Sequence, residues 1–196
     1  MADNHPDFDV SWIRELLSQP DTRPLTNPPG HPQSKPSPGV SNSLFSETLA
    51  ANSPDAIRAQ FMFTRPVPIA DPTTSSSSAT ISSPTTQPVE QCMLVSLGRG
   101  VDGKLGRAHG GFSALLLDHV LGRTAAVESG ATAPATATMT VDYKAPVDTP
   151  GVVLVRGWLE KLEGRKAWVC GTVEGEGAKV MATGRALFIA PKIGKI

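Results

Sequence analysis

One stretch constrains the fold of this chain more than any other. Phe112, Leu115, Leu116, Leu117, Val120, Leu121 and Ala125 fall on nearly all sides of a predicted helix running from 112 to about 129. A helix that is apolar all round has to be surrounded by other elements; it cannot lie on a surface. Four strand-like runs follow, at 136–143, 151–160, 166–174 and 178–189, separated by turns at 148–151, 163–165 and 175–177. A further strand is predicted at 90–97, ending at Gly98. The expected class is α+β, an antiparallel sheet wrapped around one central helix.

Composition says where this core lies. Fourteen of the 18 prolines precede residue 91, whereas 16 of the 18 glycines follow residue 90. The globular part is therefore expected mainly in the C-terminal half. Residues 1–43 read as an N-terminal tail, disordered or weakly helical, with one short amphipathic helix carrying Phe8, Val10, Trp12, Ile13, Leu16 and Leu17. Residues 44–63 read as one or two short helices leading into a strand, with a helix start at Ser53-Pro54-Asp55. In 72–88, 14 of 17 residues are Ser, Thr or Pro, so a low-complexity loop is expected at 70–88. Residues 1–40 and 70–88 are expected to be dispensable for folding, being too poor in apolar side chains to offset their ordering entropy.

Eighteen basic residues balance 18 acidic ones, with no basic patch interleaved with aromatics, which argues against nucleic acid as a partner. No apolar run reaches the roughly 20 residues of a membrane span. The first residues lack the basic and apolar regions of a signal peptide, so a cytoplasmic location is expected. Cys92 and Cys170 are too few for a disulfide framework and read as small buried strand residues.

The candidate chemistry sits at the mouth and middle of the apolar helix. Gly110 and Gly111 open it, leaving backbone N–H groups bare where a developing oxyanion can approach. Asp118 lies nine residues after His109, among leucines, where a carboxylate costs free energy unless it is paired or used. An oxyanion holder with a base or nucleophile makes up an acyl-transfer site. Spacing alone also fits a tight turn and a solvent-facing aspartate.

A resemblance separates these readings. His109-Gly110-Gly111, six residues and then Asp118 resembles the signature of hotdog-fold acyl-CoA thioesterases of the phenylacetate-pathway type, within the 4-hydroxybenzoyl-CoA thioesterase superfamily. Thr136–Pro146 resembles that family's central strand, an alternating run ending in Tyr-x-x-Pro. Lys161–Lys166 is similar to the following turn, close to that of the mammalian long-chain acyl-CoA members, and Ala182–Ile189 to the last strand. The resemblance covers roughly 90–190, with a weaker echo in 44–66, and implies a hotdog domain over 44–190.

By resemblance, the Gly110-Gly111 backbone holds the oxyanion, with Gly111 the key donor and Gly110 and Phe112 beside the substrate. Asp118 is base or nucleophile across a dimer interface. Thr136 stands near the attacking water, or is an ordinary strand threonine. His109 orients the loop or substrate, or caps the turn. The implied substrate is an acyl thioester of CoA or a carrier, with no metal and no redox cofactor, in a homodimer or dimer of dimers. Two alternatives stay open: a tailoring hotdog enzyme that releases or cyclises a polyketide-type chain, and a non-catalytic acyl-binding module. Some members place Asn or Gln six residues before the histidine to hold water. Gly103 stands there in this chain, leaving Asp102 or Lys104 for that role, unless the role is absent.

Three other patterns are rejected. Gly98–Gly103 matches a dinucleotide-binding spacing without the strand–helix context it needs. His109, Asp118 and His119 do not converge as metal ligands, because adjacent helical residues face about 100° apart. Ser113 lacks the Gly-x-Ser-x-Gly elbow of a serine nucleophile.

Overall fold

A computed structural model describes residues 5–25, 43–53, 55–67 and 88–192. In chain order the elements are α1 (Ser11–Leu17), β1 (Arg23–Pro24), β2 (Ile57–Pro66), β3 (Val89–Leu97), β4 (Asp102–Lys104), β5 (Arg107–Ala108), α2 (Gly110–Ser129), β6 (Ala135–Tyr143), β7 (Gly151–Glu163), β8 (Lys166–Gly175) and β9 (Lys179–Ile189). A π-helical segment, Leu44–Ala51, precedes β2. Residues 55–56 are a turn and the strand begins at 57, so no helix starts there; Pro54 itself lies outside the described residues.

Seven strands form one antiparallel sheet in the order β1-β2-β3-β7-β8-β9-β6. It curls around α2, and the fold is the hotdog. Leu116, Leu117, Val120, Leu121 and Ala125 of α2 are all buried against Met93, Val95, Val155, Val169, Val173 and Phe188. The helix ends at Gly130, whose φ of 66° supplies the left-handed C-cap.

Three glycines explain how closely α2 lies on the sheet. Gly157, Gly171 and Gly184 stand opposite one another across β7, β8 and β9. A Cβ on Gly157 would lie 2.7 Å from the Thr124 hydroxyl, and one on Gly171 would lie 2.8 Å from a Leu121 methyl. The row is a trough in which the helix rests.

The other face of the sheet is half covered by the chain's own N-terminal segment. Phe8, Ile13 and Leu16 are buried against Phe61, Phe63, Cys92, Leu94 and Leu154. Asp7 ties this layer to the sheet by accepting from Arg58 at 3.1 Å and from the Ser96 hydroxyl. Truncation should therefore matter, contrary to the expectation for residues 1–40. Three large apolar side chains are buried there, at about 1.5–3 kcal/mol each, and removing the segment also uncovers Phe61, Phe63 and Leu94. Deleting residues 1–25 is expected to lower the melting temperature by roughly 5–10 °C, read by calorimetry; an unchanged value would mean that the layer adds nothing. Residues 26–42 and the predicted loop up to 87 lie outside the described residues.

No helix among the described residues is long and apolar enough to cross a membrane.

Candidate functional site

The mouth of α2 is built by the β4–β5 hairpin. Asp102 accepts the Gly106 N–H at 2.9 Å and the Thr149 hydroxyl, closing the hairpin onto the loop before β7. The Thr149 hydroxyl, then the backbone bond, hold the Asp102 carboxyl below its ordinary pKa. The Ala108 N–H donates to Val147 and the His109 N–H to Val101, which fixes the entry to the helix.

His109 is the N-cap of α2. Its Nδ1 accepts the Gly111 N–H at 2.9 Å, and its carbonyl accepts the Phe112 N–H at 2.8 Å. The amide singled out by sequence, that of Gly111, is thus used by the cap. Gly110, the first helical residue, carries the first-turn N–H with no partner among the described residues. Both glycines are needed for room. A Cβ on Gly111 would meet His109 Nδ1 at 2.9 Å, and one on Gly110 would meet the Tyr143 ring at 3.3 Å.

Asp118 lies farther along the helix, half-buried, and accepts a 2.8 Å hydrogen bond from the Thr136 hydroxyl. Strict alternation along the strand would set Thr136 on the same face as Thr138, Thr140 and Asp142. A bulge between Thr136 and Thr138 changes that: Thr136 pairs with Phe188, whereas Thr138 pairs with Leu187. The extra residue turns Thr136 inward, onto the helix side with Met139 and Val141.

The structure places these candidate residues in two separate groups, Gly110 with His109 and Asp118 with Thr136. Gly110 and Asp118 are eight residues apart on a straight helix, a separation of about 12 Å at 1.5 Å per residue. One small reacting group cannot touch both in a single copy. Phe112 is half-buried and packs on the central core, between the two. Ser113 is buried.

Gly103 has no room for a side chain, since a Cβ there would lie 2.9 Å from His109 Cα. With Asp102 committed to the hairpin, the water-holding position upstream of His109 has no direct replacement from that residue. Lys104 is exposed at the hairpin.

His119 stacks on Phe45, ring centroids 3.8 Å apart. Burial, then the charge of Arg123, lowers its pKa to about 4. The folded protein therefore keeps a neutral imidazole, whereas the unfolded chain protonates near pH 6.5. Stability should be full above about pH 6.5, fall as the pH drops towards 4, and level off below. His119→Phe should remove roughly 2 kcal/mol of that loss between pH 7 and 4.5, measured by urea unfolding at both values. An identical pH slope in the variant would show that His119 does not cause it.

Both cysteines are free thiols, Cys92 buried in β3 and Cys170 half-buried in β8. Burial, then nearby Glu90, pushes Cys92 well up; burial, then Glu160, pushes Cys170 up to about 11. Neither is a reactive thiolate at neutral pH.

Residues 105–182 match the family model of the thioesterase superfamily. Over that region the chain is similar to the thioesterase superfamily, the match covering about two fifths of its length. Over 93 residues it is 37% identical to the acyl-coenzyme A thioesterase THEM4 of Rattus norvegicus, covering 47% of this chain and 39% of that protein. The THEM4 of Xenopus laevis is 34% identical over the same length, 41% of which protein is covered. The chain thus spans about two fifths of the length of these relatives. Among solved structures, a crystal structure of a thioesterase superfamily protein is similar with 33% identity and a TM-score of 0.46, covering 51% of this chain and 48% of that one.

Tyr143 lies beside Gly110, a neighbour that the sequence did not single out. It appeared there only as the end of a strand motif; what marks it is the pairing of a bare glycine with an exposed ring in three dimensions.

Proposed function

We propose that this protein is an acyl-CoA thioesterase acting as a homodimer, its sites made jointly by two copies. The observation that carries this reading is the Thr136–Asp118 hydrogen bond, about 12 Å along α2 from an unpartnered Gly110 N–H. The outer edge of β6 has no partner among the described residues. An open strand edge is a template for pairing. Antiparallel pairing of two β6 strands sets residue 136 of one copy near residue 143 of the other. That brings Thr136 and Asp118 of one copy up to Gly110 and Tyr143 of its partner. Similarity to the thioesterase superfamily over residues 105–182 and the acyl-CoA thioesterase names of the relatives support the same chemistry.

In this reading the thioester carbonyl oxygen accepts the Gly110 N–H at the positive end of α2. His109 holds the cap in shape and Gly111 gives it room. Asp118 is general base to a water, or attacks the carbonyl carbon itself to give a mixed anhydride that a water then hydrolyses, freeing the acid and the carboxylate. The C–S bond breaks as the tetrahedral adduct collapses, and the thiolate leaves and takes a proton. Thr136 fixes the Asp118 carboxylate.

One observation favours a second reading. The absence of room at Gly103 removes a water-holding side chain, as suits an acyl-binding module with slow turnover. Thiol release measured across acyl-CoA chain lengths decides between them. Turnover at an ordinary enzymic rate of about 1 s⁻¹ or above supports the hydrolase. Tight binding without release supports the binder. Turnover confined to carrier-bound polyketide-type chains supports the tailoring enzyme.

A further inference from the structure

The ring of Tyr143 stands beside Gly110 at the mouth of α2, more than half exposed. β6 sends Met139 and Val141 onto the central core, and Tyr143 continues that inward row. The row runs past the end of the helix at Gly110, which has no side chain to cover the ring. Tyr143 is therefore 57% exposed, although it sits on the inner face of the sheet. A Cβ built on Gly110 would lie 3.3 Å from its Cε1 and 3.5 Å from its Cζ, so the ring packs beside the residue whose amide has no partner among the described residues.

The corner has two walls of different chemistry: a hydrogen-bond donor and a flat apolar face. A small anion would use the amide and gain nothing from the ring. A neutral carbonyl flanked by sulfur and methylene groups uses both. We propose that Tyr143 is a substrate-contacting residue whose ring holds the thioester group of an acyl-CoA against the Gly110 N–H. The inference rests on the thioesterase reading and adds to it a residue that sets how well the substrate is held. The ring does the holding, so the phenol oxygen is dispensable.

The test compares wild type, Tyr143→Phe and Tyr143→Ala on one acyl-CoA, with melting temperatures as the folding control. Tyr143→Phe should keep kcat and KM within about threefold, and Tyr143→Ala should raise KM about tenfold or more, the loss expected from removing a buried ring contact. Unchanged kinetics in Tyr143→Ala, or equal damage in Tyr143→Phe, overturns the proposal. A second measurement needs no variant. Tyr143 is the chain's only tyrosine, so ring-labelled tyrosine reports on this position alone by NMR. Titration with a non-hydrolysable thioether analogue of acyl-CoA should shift its ring signals. Turnover by wild type with no shift on analogue binding overturns the role of Tyr143 and leaves the thioesterase intact. Neither turnover nor analogue binding overturns the thioesterase reading and this proposal with it.

Discussion

Asp118→Asn is expected to lower kcat on an acyl-CoA by about 10²–10⁴-fold, the usual weight of a general base. The melting temperature should move little. Asparagine keeps the size of the side chain, and its carbonyl oxygen can still accept the Thr136 hydroxyl that Asp118 accepts at 2.8 Å. What it loses is the charge that takes a proton or attacks carbon. Rate and melting curve from one preparation check this. A residual rate above about a tenth of wild type would be too high for loss of the base and would remove Asp118 from the chemistry. The shared-site geometry adds a sharper outcome. Mixing Asp118→Asn with Gly110→Val, each inactive alone, should restore about a quarter of the sites, as random pairing of isologous copies predicts. Mixtures as inactive as their components would mean that each copy works alone.

The central helix and the strands after it were legible because their patterns are local. The helix was expected from 112 to about 129 and runs from Gly110 to Ser129; the strand expected at 136–143 runs from Ala135 to Tyr143. The site residues could be named from one short motif, but not their division of labour. Which glycine amide is free depends on where the His109 imidazole turns, and no residue spacing encodes that. The inward turn of Thr136 depends on a bulge that perfect alternation of threonines conceals. The N-terminal layer was missed for a different reason. Its apolar residues are few, and their partners, Phe61, Phe63 and Leu94, lie at least 45 positions away along the chain. The glycine row on β7, β8 and β9 is similar: each glycine is unremarkable alone, and only strand register aligns them.

The largest effect on stability is expected far from the site, at Glu90. This carboxylate is fully buried in β3, on the face covered further along by α1. It accepts from Arg65 of β2 at 2.5 Å and from Arg156 of β7 at 2.7 and 3.1 Å. Arg156 reaches on to Glu174 of β8, 2.9 Å away, which also accepts the Thr172 hydroxyl. Two cations and two anions thus close a neutral network across four strands, and no buried side-chain N or O atom among the described residues lacks a partner. Taking one charge out leaves Arg65 and Arg156 half-buried with one carboxylate between them. Breaking such a pair costs about 3–5 kcal/mol, because the orphaned charge keeps its desolvation penalty. Glu90→Gln should therefore lower the melting temperature by roughly 10–15 °C for a chain of this size. Replacing the whole network with apolar residues, Arg65→Met, Glu90→Leu, Arg156→Met and Glu174→Leu together, should recover much of that loss, since no buried charge is then left unpaired. Calorimetry on both proteins separates the two effects. A loss under about 1 kcal/mol in Glu90→Gln would be that of an exposed ion pair, and would show that water reaches the network and that the four strands are held by their backbone ladders and apolar contacts alone.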